Sequence, residues 1–251
     1  MSPAPRPEDA AGAGTARHLM EAVLDERDGP LPALMLTLTV LVGIVDATSI
    51  LLAHVFVASM TGNIVFLGLA LARAPGFSIG GSLLPIAAFS VGAVLGNHAI
   101  HAAGPHRGRA LRNVLGVKMG LAVVVVIVVV TAHNHFDART RDYVVILLAL
   151  SMGSQLAAIR NLAVRDLPTV VLTLTITGAL VEASRGLNDP VMLRRVLAVL
   201  AFLLGVLAGG LLVRHVSVGA SLGLGLAIIV GVAIAAHLVS REGNEAWAVK
   251  R

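Results

Sequence analysis

Cysteine is absent from the 251 residues, so disulfides, thiolate metal sites and cysteine nucleophiles are excluded together. Aromatic residues are scarce at 3%, one Trp, one Tyr and six Phe, which leaves no stacking platform for single-stranded nucleic acid. Charge is the third shortage. Only 13% of the residues are charged, where a soluble domain carries about 25%. Between Leu31 and His101 only Asp46 and Arg73 bear a full charge. What remains is apolar, 57% of the chain. Such a stretch has no polar coat to present to water; it has the composition of a chain that crosses a bilayer repeatedly, and a soluble enzyme is excluded. The net charge of +5 then reads as loop charge that orients the chain against anionic lipid, with no nucleic-acid partner.

Residues 1–30 differ from the rest. Met1–Gly14 is rich in Pro, Ala and Gly and is expected to be disordered, and Thr15–Asp28 has the spacing of one short amphipathic helix. With neither a long apolar stretch nor a small-residue cleavage site, this part reads as a retained cytoplasmic tail. Residues 31–240 read as one transmembrane domain, and 241–251 as a cytoplasmic C-terminal tail. Eight apolar segments are expected, at 32–54, 56–72, 80–101, 113–131, 142–159, 167–183, 195–213 and 218–238. A helical span takes about 20 residues. The second and sixth segments are short and polar in their first halves, so each is either a full helix or a broken, re-entrant one. The predicted fold class is an all-α polytopic membrane protein of two repeated bundles of about four segments each, with six full spans plus two short helices, or eight spans.

The repeat is carried by small-residue patterns. Phe89-x-x-Gly92-x-x-x-Gly96 recurs as Phe202-x-x-Gly205-x-x-x-Gly209, and Gly116-x-x-x-Gly120 as Gly219-x-x-x-Gly223. The halves are about 32–131 and 142–238. These glycine pairs are expected to let helices approach closely, and they leave room for a homo-oligomer. Basic residues bear on topology. With six spans and the N-terminus inside, only Arg73, Arg139, Arg141 and Arg214 lie outside; with eight, Arg107, Arg109, Arg112, Arg160, Arg165 and Arg214 do. The positive-inside rule favours six. Three crossings per half would invert one half relative to the other, a recurrent plan of secondary transporters. Four crossings would make the halves parallel.

Asp46, in Gly43-Ile44-Val45-Asp46-Ala47, is the most informative residue. A charge at the centre of a span costs about 2.5–3.5 kcal/mol on insertion scales. Two readings stand: a proton or cation site, or a structural carboxyl that pins helices together. Ser59-Met60-Thr61-Gly62-Asn63 opens the second segment, where Gly62 would loosen the helix and Thr61 and Asn63 could satisfy freed backbone groups. In the second half, Gln155 and Arg160 are the counterparts of the Asp46 region, with Arg160 either pairing with Asp46 or snorkelling to headgroups. Thr173, Thr175 and Thr177 alternate and cannot share one face of a regular helix, a hint of non-helical backbone. Lys118, near the start of the fourth segment, is expected to snorkel, and Glu182 to pair with Arg185 at the interface. His54, His98 and His101 form no metal-ligand pattern. No phosphate loop, nucleophile triad or paired carboxylate appears, so no catalytic residue, cofactor or metal is assigned.

Gly43-x-x-Asp46-Ala47, followed by Phe56-Val57-Ala58-Ser59-Met60-Thr61-Gly62-Asn63 and Leu67-Gly68-Leu69-Ala70-Leu71, resembles the YoaK-like family of bacterial integral membrane proteins. That family usually has Asn where Ser59 stands. A second block, Gly153-Ser154-Gln155 through Val171-Leu172-Thr173 with Arg160, is similar to the family's Gln-Asn-Ala and Leu-Thr-Gly-Thr. This chain departs there, with Gln155-Leu156-Ala157 and Leu172-Thr173-Leu174-Thr175. The resemblance covers nearly all of 31–239 and implies a multi-pass membrane protein, with no substrate or cofactor attached. The expected function is an inner-membrane permease of a small solute or ion, with Asp46, Thr61, Gly62, Asn63, Gln155, Arg160, Thr173 and Thr175 along its pathway. The alternative is a non-transporting scaffold or assembly factor. Partners are the lipid bilayer and an unidentified solute or ion.

Overall fold

Apolar length decides which helices can cross a bilayer. The computed structural model describes residues 29–104, 107–132, 135–162, 172–183 and 190–241, and its helices are α1 (Leu31–Ala53), α2 (Met60–Leu71), α3 (Ile79–His101), α4 (Arg107–Thr131), α5 (Ala138–Leu162), α6 (Leu172–Ala183), α7 (Pro190–His215) and α8 (Val218–Arg241). Six of them, α1, α3, α4, α5, α7 and α8, are long and apolar enough to span. A 23-residue helix rises about 35 Å at 1.5 Å per residue, against a hydrocarbon core of about 30 Å. The 12-residue α2 reaches about 18 Å and falls short; α6 is described over 12 residues only. The chain is therefore a polytopic all-helical membrane protein.

Side-chain oxygens start several helices. Ser78 accepts the Gly81 N–H at α3, and Ser217 accepts the Ala220 N–H at α8, each at 3.0 Å. Asp137 accepts the Thr140 N–H at 2.8 Å ahead of α5. Hydrogen bonds from Thr140, with Arg139 and Arg141 nearby, hold the exposed Asp137 carboxyl below the usual carboxylate range. Helices α4 and α5 begin several residues before the apolar stretch expected from sequence, because hydropathy marks where lipid begins and helix propensity carries the turn further into charged loop. The N-terminal residues 1–28, Arg165, Arg185 and the tail from 242 lie outside the described residues, as does the side chain of Glu182.

The helices sort into two groups of four. In one, α1 packs on α7 and α8, α6 on α7, and α7 on α8; in the other, α5 packs on α3 and α4, α2 on α3, and α3 on α4. Between the groups run two contacts, α4 with α8 and α1 with α5. Advancing each helix number by four turns one group into the other. The groups do not coincide with the sequence halves: the first helix of each half is exchanged. Helices α1 and α5 are the most enclosed spans, 67% and 56% buried, against 17–33% for the other four, so they form the centre. Apolar side chains such as Val94, Ile127, Leu203 and Leu207 are exposed on the periphery, where acyl chains would cover them.

Glycine sets the two tightest crossings. A Cβ at Gly96 would stand 2.6 Å from the Ser154 carbonyl oxygen, and Gly92 and Gly153 complete the α3–α5 seam against Leu150 and Phe89. On α1–α7, a Cβ at Gly209 would stand 2.8 Å from the Ile44 oxygen and one at Gly43 2.7 Å from the Val206 nitrogen, with Gly205 against Val40. Backbones touch at both seams. The other expected pairs behave differently. Nothing lies within 4 Å of a Cβ at Gly116, Gly120 or Gly223, and Gly219 has only ordinary contact with Val129 at 3.5 Å. The expectation of close packing there is corrected: Gly116 and Gly120 are exposed on the outer face of α4.

Candidate functional site

Asp46 sits seven residues before the end of α1 and is 2% exposed. Helix α1 stops where His54 takes the left-handed conformation (φ 55°), and the chain turns back without helical structure until Met60. This return brings three donors to one carboxylate. Oδ1 accepts the Val57 N–H at 3.1 Å and the Ala58 N–H at 2.9 Å, and Oδ2 accepts the Ser59 hydroxyl at 2.8 Å. The carboxylate thus satisfies two backbone amides of the non-helical turn just ahead of α2, together with the hydroxyl of the residue that begins that helix.

Asn63 fastens the same turn. Its Oδ1 accepts the Phe56 N–H at 3.0 Å and its Nδ2 donates to the Phe56 carbonyl at 2.6 Å, so a fully buried amide satisfies a stretch of backbone that has no helix to do so. The break itself lies at 54–59, upstream of Gly62. Gly62 is inside the first turn of α2, and its missing side chain makes room for the Phe56 ring. Its expected role in loosening the helix is corrected accordingly. Thr61 is exposed on the opposite side and does not join the cluster.

Three rings gather around α2. Phe56 stacks on Phe66 at 5.7 Å, and Phe66 meets Phe77 at 5.3 Å. Phe56 follows the end of α1, Phe66 lies midway along α2, and Phe77 precedes the start of α3. The stack ties the chain that leaves α1 and the chain that enters α3 to the middle of the short helix between them.

The second half is arranged differently. Thr175 is buried and Thr177 exposed on α6, whose regular helix from Leu172 removes the hint of extended backbone at the alternating threonines; the Thr173 side chain lies outside the described residues. Beside Gly178 of α6 lies the Arg195 guanidinium of α7. Arg160 is exposed in the last turn of α5, and Asp46 takes its partners from residues 57–59. Gln155 is 2% exposed, and neither its Oε1 nor its Nε2 has a hydrogen-bond partner. Among the described residues, no three His, Asp or Glu side chains converge as a metal ion would require.

Two buried polar contacts escaped the sequence reading. Thr48 and Ser221 join α1 to α8 at 2.7 Å. Lys118, expected at the membrane surface, is instead fully buried between α4 and α5, 3.2 Å from the Ser151 hydroxyl and 3.9 Å from the Met152 sulfur. The reason is the face it occupies: Lys118 lies on the side of α4 that packs against α5, so its side chain is enclosed by the neighbouring helix.

The family model described as a protein of unknown function, DUF1275, matches residues 34–236. The chain belongs to this family. Within reach of it stands a curated relative, the UPF0700 transmembrane protein YoaK of Bacillus subtilis strain 168, 33% identical over 148 residues. That match takes in 57% of this chain and 62% of the relative, so the chain spans less than two thirds of the relative's length. No solved structure matches. Membership fixes the family and its membrane location and attaches no substrate, which leaves the geometry at Asp46 as the guide to function.

Proposed function

We propose that the protein is a bacterial inner-membrane permease of a small solute or ion, built from two inverted repeats over 32–131 and 142–238 and coupled to protons or a cation through Asp46. The observation that carries this reading is the chain break before the short helix α2, where residues 57–59 are gripped by a buried carboxylate on α1; we read α2 as re-entrant. Helix α1 belongs to one four-helix group and α2 to the other. The grip therefore spans the boundary across which two groups would have to move. Broken helices at such a boundary are a recurrent device of transporters with inverted repeats. The exchange of helix pairings on advancing by four, and three crossings in each half, support the inverted repeat. The placement of basic residues supports cytoplasmic termini.

The coupling step follows from the donor set. All three groups facing Asp46 donate to it, so a proton arriving on Oδ2 needs the Ser59 hydroxyl to turn from donor to acceptor. The neutral acid also holds the Val57 and Ala58 amides less strongly than a carboxylate does. Proton occupancy would thus loosen α2 from α1. The test uses purified protein in vesicles loaded with a pH-sensitive dye and challenged with a panel of small solutes. Solute-driven proton movement in the wild type that disappears in Asp46→Asn, with the variant still folded, supports the reading. No such movement in the wild type, or equal movement in the variant, overturns it.

The scaffold alternative is favoured by a different observation: both oxygens of the Asp46 carboxylate are occupied by backbone and hydroxyl donors of the adjoining turn. It predicts that Asp46→Asn loses the fold, and that a pull-down partner depends on Arg107, Arg109 and Arg112.

A further inference from the structure

The group formed by α2, α3, α4 and α5 carries its charges unevenly. At the start of α5, Arg139 and Arg141 stand among Asp137 and Asp142. The opposite end has no such balance. There the end of α3, the start of α4 and the end of α5 are held together: Ile100, Ala103, Ala110, Val114 and Ala158 form one buried cluster, and the Asn113 amide donates to the Ala99 carbonyl at 3.1 Å. Around this cluster Arg109 and Arg112 of α4, Arg160 of α5, and His98 and His101 of α3 are exposed. The carboxylate side chains among the described residues lie elsewhere. Asp46 is held by residues 57–59, and Asp137 and Asp142 stand at the other end of α5, Asp142 about 27 Å from Arg160 at 1.5 Å per residue. Arg109 and Arg112 are neighbours on one face of α4. Further along that face, Gly116 and Gly120 are exposed, and nothing lies within 4 Å of a Cβ added to either. One side of α4 therefore offers two guanidinium groups at its end and a shallow apolar recess leading away from them.

We propose that this face of α4 is a binding surface for an anionic phospholipid, whose phosphate meets Arg109 and Arg112 and whose acyl chain lies along Gly116 and Gly120. Charge selects the occupant. A guanidinium donates to a phosphate through two N–H groups at once, which suits arginine to this contact. A zwitterionic lipid brings a cation of its own, and this end of the group has no carboxylate among the described residues to receive it. Arg160 and the two histidines extend the positive surface and favour the same sign of headgroup. The recess accounts for two exposed glycines in a span, where glycine is the poorer helix former and no neighbouring helix needs the space. The surface does not rest on the transport reading, because a permease and a scaffold can hold a lipid equally well.

The test is thermal unfolding of the full chain in detergent micelles doped with phosphatidylglycerol or with an equal amount of phosphatidylcholine. The wild type is expected to melt several degrees higher with phosphatidylglycerol. Inorganic phosphate in undoped micelles should give no such gain, because it brings no acyl chain. Arg109→Gln combined with Arg112→Gln should lose most of the gain, and the corresponding pair of lysine substitutions should keep part of it. Arg139→Gln combined with Arg141→Gln removes as much charge from the other end and should keep the gain whole. Equal melting of the wild type with both lipids overturns the proposal and returns these arginines to the protein partner of the scaffold reading. A gain reproduced by inorganic phosphate overturns it too, as does one that survives without Arg109 and Arg112 or is lost equally at the other end. Should the Arg109 and Arg112 double variant fail to fold, native mass spectrometry of the wild type and Arg112→Gln decides: equal retention of phosphatidylglycerol overturns the proposal, and reduced retention in the variant supports it.

Discussion

Two buried polar clusters lie in this bundle, and they are finished to different degrees. At the α1–α2 turn, Asp46 meets three donors and Asn63 closes both backbone groups of Phe56. At α4–α5, Lys118 has one good acceptor and Gln155 has none. The lesson is about what each cluster can still do. In a medium without water every unmatched polar group costs free energy, so the closed cluster holds structure together and the open one carries a cost left unanswered. The closed cluster can act in transport only by being broken, which is why its proposed role is a switch on α2.

The sharpest way to break the comparison is to remove the acceptors at the closed site. Asp46→Leu leaves two amides and a hydroxyl buried without partners, at about 1–3 kcal/mol each. Loss of most folded protein on extraction is expected. The same kind of change at the open site should do little: Gln155→Leu removes a group that already lacks partners. Its melting temperature should equal or exceed that of the wild type. If the two leucine variants lose stability equally, the distinction between the clusters fails.

The glycine seams offer a second contrast of smaller size. In Gly153→Ala the new methyl meets the Phe89 carbonyl and lies 2.8 Å from the Ala93 nitrogen, both backbone. A loss of about 1–3 kcal/mol is expected from such overpacking. Gly116→Ala meets nothing within 4 Å and should be neutral or slightly stabilising, since alanine is the better helix former by about 1 kcal/mol. Denaturation of both variants in detergent measures the difference directly.

Much of this was legible in the sequence, for identifiable reasons. The six spans announce themselves because lipid demands long apolar runs, and Asp46 stands out because a charge in such a run must have a purpose. Glycine spacing showed the seams at Gly92, Gly96, Gly205 and Gly209. It did not separate them from Gly116 and Gly120, because spacing reports a helix face and not what the face touches. Gly43 and Gly153, the glycines opposite those seams, stand in the quoted blocks around Asp46 and Gln155, but their close backbone contacts came only with the structure. Lys118 was misplaced for a different reason. Apolar length does not say which face of α4 meets another helix, and Lys118 lies on the face packed against α5. The partners of Asp46 were hidden because they follow a reversal at His54, and a left-handed turn at a histidine leaves no mark in composition. The Phe56, Phe66 and Phe77 stack was out of reach as well, since it joins residues from three separate pieces of chain.

The path of α2 is the claim on which the rest depends, because a full crossing there would make the halves parallel and remove the switch. Single cysteines at Ser2 and, separately, at the exposed Ala72 test it cleanly in a chain with no cysteine of its own. Each variant is treated with an impermeant maleimide in intact and in permeabilised cells. If α2 dips and returns, the two positions lie on opposite sides of the membrane: Ala72→Cys is labelled in intact cells and Ser2→Cys only after permeabilisation. Labelling of both from the same side would mean that α2 crosses, and would contradict the account.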